Sequence, residues 1–202
     1  MSIAIYLEGG GEGKNSKAML RLGMDAFLRD IKEVFRQKQL RWKLVCCGGR
    51  DKAYRRFMNA RTEGEAEIAV LLVDSEESLS ASTPRDHLRE RDGWDFEGVD
   101  DDTIHLMAQT MEAWIVADPE VLNSYYGHGF QASSLPRREN LEEVSKQDVA
   151  SALDRATQNT QKGRYHKIRH AQQLLEQIDS AKVRQRCAHC KRLFDTLLGL
   201  AG

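Results

Sequence analysis

The sequence of 202 residues predicts an α/β fold, with a parallel sheet flanked by helices and a helical C-terminal extension. Short apolar runs alternate with segments whose apolar residues recur every three or four positions, an order typical of parallel sheets covered by helices. One run, EIAVLLV at residues 67–73, is almost continuously apolar, as expected for a strand buried on both faces. We therefore expect an α/β core in residues 1–130 and a helical extension in residues 131–202, packed together as one globular unit.

Four β-rich runs are the predicted strands of this sheet. Residues 2–7 (SIAIYL) and 42–47 (WKLVCC) are each followed directly by glycines, which commonly end a strand. The apolar run at 67–73 supplies the third strand. Residues 103–110 (TIHLMAQT) are predicted as the fourth strand, although a helix also fits their pattern.

Helices are predicted between and after these strands. The apolar spacing in residues 17–39 and 51–61 is that of amphipathic helices. Asp118 is a good N-cap and Pro119 fits a first helical turn, so another helix starts there. Residues 75–102 are polar and predicted as a long loop, of a length that is usually functional or mobile. The rest of the chain is predicted to be helical over residues 140–159, 165–177 and 181–200.

The composition excludes several classes of protein. Three prolines and 15 glycines are too few for a collagen or a disordered linker. No apolar run approaches the ~18 residues of a transmembrane helix. The N-terminus lacks the basic and long apolar segments of a signal peptide. We therefore expect a soluble cytoplasmic protein that does not bind membranes.

The four cysteines form two close pairs, Cys46 with Cys47 and Cys187 with Cys190. The first pair lies in an apolar run, and the second is a single CxxC. A structural zinc site usually takes four ligands from two such pairs, so a site that combines both is an alternative. Reduced, structural thiols are the favoured interpretation.

The net charge of −1 conceals an uneven distribution. Residues 74–120 carry 14 acids against three arginines, whereas residues 151–195 carry ten lysines and arginines against four acids. An acidic segment can hold a divalent metal, and a basic segment can bind a polyanion. A solvated surface is the alternative interpretation of each.

Acidic residues follow the strands at the sheet edge where parallel α/β proteins bind ligands. Glu8 ends the first strand and opens a glycine-rich turn, which would let backbone N–H groups approach an anion. The turn is not a P-loop, because Glu8 replaces its first glycine and Asn15 its Ser/Thr. A helix-capping role is the alternative for Glu8.

Asp74 and Glu76 directly follow the third strand, and their i, i+2 spacing places both on one side of an extended chain. Clustered carboxylates repel one another unless a cation neutralises them, and their oxygens suit Mg²⁺ or Mn²⁺. A solvated acidic turn is the alternative. Glu112 follows the fourth strand at the same edge. Trp114 is predicted to be a core residue rather than a base-stacking platform.

Several stretches, from residue 3 to about residue 195, carry a resemblance to known proteins. They are IYLEGGGEGK, GGRDKAYRRF, LLVDSEE, RDGW, HLMAQTMEAWIVADPEVL, YYGHGF and YHKIRHAQQLL. A glutamate after strand one and an acidic pair after strand three resemble the Toprim domain of topoisomerases, primases and overcoming-lysogenization-defect (OLD) nucleases. The whole chain is similar to a family of small stand-alone Toprim-like bacterial proteins, and HLMAQTMEAWIVAD is the most specific match.

The resemblance implies a Rossmannoid Toprim-like sheet in which Glu8 matches the Toprim glutamate and Asp74 and Glu76 match its D-x-D pair. A glutamate as second acid occurs in some OLD-type nucleases, whereas topoisomerases usually carry D-x-D. The sequence has neither a topoisomerase tyrosine domain nor a primase zinc module. Family members are commonly encoded beside an ABC- or AAA-type ATPase in defence-like clusters. The resemblance therefore implies the nuclease subunit of an ATPase-linked antiviral system.

The predicted catalytic site consists of Glu8, Asp74 and Glu76 holding one or two Mg²⁺ or Mn²⁺ ions for phosphodiester hydrolysis of DNA or RNA. Further acids could complete a second metal position or place the attacking water: Glu12, Glu77 and Glu112. Lys14 could touch the scissile phosphate, and Arg50 is a further phosphate contact.

Nucleic-acid contacts are also predicted on the C-terminal segment, at Arg164, Lys167, Arg169 and His170. Two other functions remain open at this point. One is a metal-dependent phosphotransferase or phosphatase that uses the same acids, and the other is a non-catalytic regulatory or binding subunit of the ATPase.

Overall fold

The computed structural model describes residues 1–79 and 81–202 and contains a sheet of four parallel strands. The strands are β1 (Ser2–Glu8), β2 (Arg41–Gly48), β3 (Ile68–Asp74) and β4 (Ile104–Met107). Their order in the sheet is β2-β1-β3-β4. The predicted α/β class with a parallel sheet is confirmed.

The described residues form ten α-helices. They are α1 (Lys14–Phe27), α2 (Arg29–Gln37), α3 (Arg50–Glu63), α4 (Pro84–Asp92), α5 (Glu112–Val116), α6 (Pro119–Tyr126), α7 (Lys146–Thr157), α8 (Lys167–Leu175), α9 (Ser180–Arg186) and α10 (Ala188–Ala201). Within these residues, no helix is both long enough and apolar enough to cross a lipid bilayer.

The sheet buries both of its faces, which explains the continuous apolar character of its central strands. Along β1, Ile5 and Leu7 belong to a core that also contains residues of α1, α2 and α10, whereas Ala4 and Tyr6 belong to a second core with α3. Alternate side chains of a strand point to opposite faces, so each face is covered by its own helices. The strand pairing places the carboxyl ends of β1 and β3 side by side.

The predicted C-terminal extension shares the first of these cores. Leu153 of α7, Leu174 of α8 and Phe194 of α10 lie in the same hydrophobic cluster as Ile5 of β1. Trp114 is fully buried there and stacks on Phe27 with ring centroids 5.2 Å apart. The prediction of Trp114 as a core residue is therefore confirmed.

The polar segment 75–102 was wrongly predicted as one long loop, because it contains α4. Thr83 caps this helix by accepting a hydrogen bond from the Asp86 backbone N–H, Pro84 occupies its first turn, and Gly93 ends it in the left-handed conformation. These are ordinary helix-start and helix-stop signals. The part of the loop prediction that falls on Ser80 lies outside the described residues.

Four other predicted elements also differ in their boundaries. The helix predicted over 17–39 starts at Lys14 and is divided at Leu28 into α1 and α2. The fourth strand ends at Met107, because the chain turns at Gln109 with a positive φ of 58°. In the C-terminal part, the predicted first helix begins only at Lys146, and Cys187 divides the last one into α9 and α10.

Candidate metal centre

Three carboxylates converge at the carboxyl edge of the sheet. Glu8, Asp74 and Glu76 each offer one oxygen atom, and these oxygens lie within 4.8 Å of one another. Asp74 is buried, while Glu8 and Glu76 are partly buried. Among the described residues, this is the one grouping of three or more acidic, histidine or cysteine side chains close enough to share a metal ion. The structure thus brings together three of the four predicted metal ligands, and the fourth, Glu12, is not among them.

Glu76 reaches the cluster by a route that differs from the sequence argument. Strand β3 ends at Asp74, so the two acids are not paired across an extended strand. Glu76 instead has a left-handed backbone, with φ of 70°, and its N–H donates to the Gln109 carbonyl at 3.1 Å. A non-glycine residue in this conformation carries strain of about 1 kcal/mol or more. The tight turn after β3 therefore aims Glu76 at the site.

Backbone donors fix the other two carboxylates. The Asp74 N–H donates to Glu8 Oε2 at 3.1 Å, and the Met111 N–H donates to Asp74 Oδ1 at 2.9 Å. One donor is the last residue of β3, and the other lies in the turn between β4 and α5. The carboxylate positions are consequently set by the sheet register and by the turn after β4.

Gln109 in that turn links the sheet to the C-terminal helices, and the sequence interpretation missed it. Its backbone N–H donates to Ser75 Oγ at 2.6 Å, and its side-chain amide donates to the Glu142 carbonyl at 3.0 Å. Its side-chain oxygen accepts from the Lys146 N–H at 3.1 Å. Gln109 lies within HLMAQTMEAW, the stretch singled out in the sequence, but nothing in one sequence indicates its left-handed backbone.

Burial raises the pKa of two of the carboxyl groups. The pKa of Glu8 rises to about 7, first because of burial and then because of the neighbouring Asp74, while Arg50 opposes the shift. The pKa of Asp74 rises to about 6, again mainly because of burial, and Lys167 opposes it. Burial and like charge therefore disfavour both ionised forms, and a bound cation would favour them.

Two lysines from the C-terminal segment contact the acids. Lys146 Nζ lies 2.6 Å from Glu76 Oε2, and Lys167 Nζ lies 3.7 Å from Asp74 Oδ2. They are the first residues of α7 and α8, positions where the helix dipole disfavours a positive charge. The attraction of the acids therefore accounts for the two lysines at these positions, since the helix dipoles oppose them. Lys167 was predicted to contact nucleic acid, whereas Lys146 was missed.

Glu112 lies beside the cluster and shares Lys167 with Asp74. Its carboxylate accepts hydrogen bonds from Thr110 Oγ1, from Tyr165 OH at 3.2 Å and from Lys167 Nζ at 3.3 Å. Burial opposes ionisation of Glu112, but the charge of Lys167 and these hydrogen bonds hold its pKa below the usual value. Glu112 is therefore an ionised anchor for Lys167 and Tyr165.

Arg50 is fully engaged in holding the site together. Its guanidinium donates to both oxygens of Asp92, at 3.1 and 2.6 Å, and to the Asp74 carbonyl at 2.7 Å. It also lies 3.4 Å from Glu8 Oε2 and 5.0 Å from the centre of the Trp94 ring. Asp92 and Trp94 both belong to the RDGW stretch, so this stretch contacts the site through Arg50. The predicted phosphate contact through Arg50 remains a prediction.

Two other predicted site residues lie outside the acid cluster. Glu12 is exposed and pairs with Lys52 at 2.5 Å. Lys14 is exposed at the start of α1 and borders a separate surface depression. In the described part of the chain, neither contacts Glu8, Asp74 or Glu76.

The remaining predicted nucleic-acid residues point in different directions. Arg164 is paired with Asp154. Arg169 is exposed. His170 is buried, and its Nδ1 accepts from Tyr126 OH at 2.9 Å and from the His166 N–H at 3.2 Å. Burial, and then the charge of Arg169, lower the pKa of His170. The predicted nucleic-acid contact would require His170 to be exposed to solvent. In the structure it is buried.

A cavity of about 450 Å³ adjoins the acid cluster. One side is the glycine turn after β1 together with the start of α1, and the other is the start of α8. Met111 and Lys167 line this cavity and also contact Asp74, so the cavity lies next to the cluster.

The cysteines do not form a comparable site. All four are buried free thiols, and burial raises the pKa of Cys46 and of Cys187 to about 12 each. In the described residues, neither pair belongs to a grouping that could hold a metal. The interpretation of the cysteines as reduced, buried thiols agrees with this arrangement.

The fold and the site together define an α/β protein with a carboxylate cluster at the carboxyl ends of its parallel strands. One family model, described as "Domain of unknown function (DUF4276)", matches residues 7–198. Because this match covers nearly the whole chain, the protein belongs to the DUF4276 family. Comparison with curated proteins and with solved structures finds no match. The resemblance to Toprim proteins therefore remains a prediction.

Proposed function

We propose that the protein is a metal-dependent nuclease that hydrolyses phosphodiester bonds of DNA or RNA, with Glu8, Asp74 and Glu76 as ligands of Mg²⁺ or Mn²⁺. The observation that carries the proposal is the convergence of these three carboxylates within 4.8 Å at the carboxyl edge of a parallel sheet. Ligands of open α/β sheets bind at this edge.

The donor set fits a hard divalent cation. Three carboxylate oxygens are the kind of ligands that Mg²⁺ and Mn²⁺ prefer. The raised pKa values of Glu8 and Asp74 indicate carboxylates that a bound cation would stabilise. When bound, the metal would supply a water of lowered pKa and charge stabilisation at the phosphate.

The surrounding residues have defined roles in this proposal. Lys167 is 45% exposed, so its ammonium group can reach a phosphate oxygen while it remains close to Glu112. Glu112 and Tyr165 hold Lys167 at the site. Arg50 keeps Glu8 and the end of β3 at a fixed separation through its bonds to both.

The Toprim resemblance adds a partner and a setting to the proposal. The protein would act in the cytoplasm as the nuclease subunit of an ATPase-linked antiviral system, together with an ABC- or AAA-type ATPase encoded beside it. Its sequence contains no P-loop of its own, which is consistent with ATP being bound by another subunit. Co-purification of the two chains after co-expression would support this assembly, and separate elution in every salt and nucleotide condition would contradict it.

Cleavage of nucleic acid by the purified protein, with its ATPase if needed, tests the nuclease activity. Cleavage should require Mg²⁺ or Mn²⁺ and should stop on chelation. Asp74→Asn keeps the size and hydrogen bonding of the side chain but removes a ligand charge, so we expect activity to fall about 100-fold or more. Asp195→Asn, at an exposed acid on α10, is the matched control and should retain wild-type activity. Full activity of Asp74→Asn would exclude a catalytic role for the cluster and would favour a non-catalytic regulatory subunit.

A metal-dependent phosphatase or phosphotransferase is a second candidate. It is favoured by the cavity of about 450 Å³, which has the size of a small-molecule site and adjoins the acids. Turnover of mononucleotides or other small phosphoesters, with no cleavage of polymers, would select this function.

A further inference from the structure

The cavity beside the acid cluster lies between the N-terminal parts of α1 and α8, next to a close contact of the two helices. They touch at Gly23, where an added Cβ would lie 2.9 Å from Gln172 Cα. Towards the N-terminal ends of both helices, the space between them opens into the cavity of about 450 Å³. Because Gly23 permits this close contact, the position of the cavity is set by helix packing.

The cavity is lined by both apolar and polar side chains. Its apolar walls are Leu20, Met111, Ile168 and Ala171. Its polar side chains are Ser16, Tyr165, His166, Lys167 and Gln172. Ile168 is 49% exposed, so part of the apolar wall faces solvent. Such a cavity fits a flat apolar ring that has polar groups at its edge and an anionic group attached.

The glycine turn keeps the opposite side of the cavity free of side chains. An added Cβ would lie 2.7 Å from Leu20 Cδ2 at Gly9 and 2.8 Å from Lys17 Cα at Gly10. Both residues also have positive φ values, which disfavour any other residue type. The turn can therefore lie against α1 and present only backbone to the cavity.

We infer that this cavity, which we call the base pocket, holds one unpaired nucleobase whose phosphate lies at Lys167. The inference rests on the proposed function and specifies its substrate. A ligand placed in this way brings its phosphate next to Asp74, because Lys167 Nζ is 3.7 Å from Asp74 Oδ2. The substrate is then single-stranded nucleic acid or a free nucleotide, since a duplex would have to unpair a base to fill the pocket.

Binding measurements test the inference separately from catalysis. Fluorescence anisotropy, with Ca²⁺ in place of Mg²⁺ so that a cation still neutralises the acids while cleavage is suppressed, would compare labelled single-stranded DNA and RNA oligonucleotides with a duplex of the same sequence. We expect the single strands to bind at least about tenfold more tightly than the duplex. Competition by AMP and TMP would show whether a free nucleotide suffices. Strong competition identifies a nucleotide ligand, and weak competition identifies a polymer.

Ile168→Gln removes the apolar wall without changing charge, and the exposure of this side chain makes misfolding less of a concern. It should weaken binding of the preferred ligand about tenfold, because it removes apolar surface that a base would cover. Leu22→Gln is the matched control, because Leu22 is 53% exposed on α1 and does not line the pocket. Its affinity should equal that of the wild type.

Each outcome separates the inference from the proposed nuclease. Equal affinity for single strand and duplex, wild-type affinity of Ile168→Gln, or no binding of any oligonucleotide or nucleotide overturns the base pocket. If metal-dependent cleavage nonetheless requires Asp74, the proposed function stands without it. Conversely, selective single-strand or nucleotide binding that depends on Ile168, without any hydrolysis, supports the base pocket and contradicts the nuclease.

Discussion

Glu8 and Glu112 are carboxylates at the same sheet edge, yet their pKa values shift in opposite directions. Burial dominates at Glu8, where Asp74 adds a like charge, and its pKa rises to about 7. At Glu112, Lys167 and two hydroxyl donors overcome burial, and the pKa falls below its usual value. These neighbouring acids are thus in different states: Glu112 is held as an anion, whereas ionisation of Glu8 would be favoured by the metal ion that we propose.

The buried His105 predicts a specific pH dependence of stability. Its Nε2 lies 2.9 Å from the Asp102 carbonyl, and its Nδ1 lies 3.2 Å from the Arg192 guanidinium. Burial, and then the charge of Arg192, lower its pKa from 6.5 to about 3. The folded protein therefore keeps His105 neutral, while the unfolded chain binds a proton as the pH falls below 6.5. Stability from His105 is present above this pH and is lost as the pH falls towards 3.

Chemical unfolding between about pH 7.5 and pH 5 measures this effect. Well below pH 6.5, His105 should contribute a loss of up to about 1.4 kcal/mol per pH unit to the free energy of unfolding. His105→Gln should remove that part of the slope. His128→Gln, at an exposed histidine, should leave the slope unchanged. The same pH slope in His105→Gln and wild type would contradict the prediction.

The helices and strands differ in how far the sequence predicts them. Continuous apolar runs predicted the parallel strands, and the rule that parallel strands end at one edge predicted Glu8, Asp74 and Glu76 as neighbours. Helix α4 was missed although Thr83 and Pro84 carried its start signal. Other features depend on contacts between distant segments and are not visible in local patterns.

These non-local features concentrate at the candidate site. Lys146 lies 70 residues along the chain from Glu76, and Arg50 lies 42 residues from Asp92. Gln109 adopts a left-handed backbone conformation, which a glutamine in the sequence does not predict. The three clustered acids could therefore be predicted from the strand ends. The lysines, the arginine and the backbone donors that contact those acids could be identified only from the three-dimensional structure.

The contact between α1 and α8 predicts opposite effects of the same substitution at two helical glycines. Glycine to alanine normally stabilises a helix interior by up to about 1 kcal/mol. At Gly23, however, the new Cβ would lie 2.9 Å from the Gln172 backbone, so Gly23→Ala should destabilise the protein by about 1–3 kcal/mol. Gly199→Ala in α10 has open space and should be neutral or stabilising. Equal effects of the two variants in urea unfolding would exclude this account of the helix contact.

At the scale of the whole molecule, part of the uneven charge distribution in the sequence is neutralised by ion pairs between the acidic and the basic segments. Basic residues of the C-terminal segment pair with acids of the middle segment in three separate places. The pairs are Lys167 with Asp74 and Glu112, Lys182 with Asp118 and Glu120, and Arg192 with Asp102. The basic segment is therefore less available to a polyanion than its composition suggests, and it serves in part to dock the extension on the sheet.

The acid cluster predicts that metal binding stabilises the entire fold. Without metal, Asp74 is a buried carboxylate whose raised pKa means that its ionised form opposes folding at neutral pH. Asp74→Asn should therefore be at least as stable as the wild type in a chelator. Adding Mg²⁺ at ten times its dissociation constant should stabilise the wild type by about 1.4 kcal/mol, or about 3–6 °C in Tm, and leave Asp74→Asn nearly unchanged.

Thermal unfolding with chelator and with Mg²⁺, for the wild type, Asp74→Asn and the control Asp195→Asn, measures both effects at once. The control should respond to Mg²⁺ like the wild type, because Asp195 is exposed on α10 and lies outside the cluster. An equal Mg²⁺ response in all three proteins would mean that the ion binds elsewhere. A strong loss of stability in metal-free Asp74→Asn would mean that the carboxylate is a structural anchor. The predicted combination, a variant that is stable without metal and unresponsive to it, is expected only if Asp74 is retained for binding at the expense of stability.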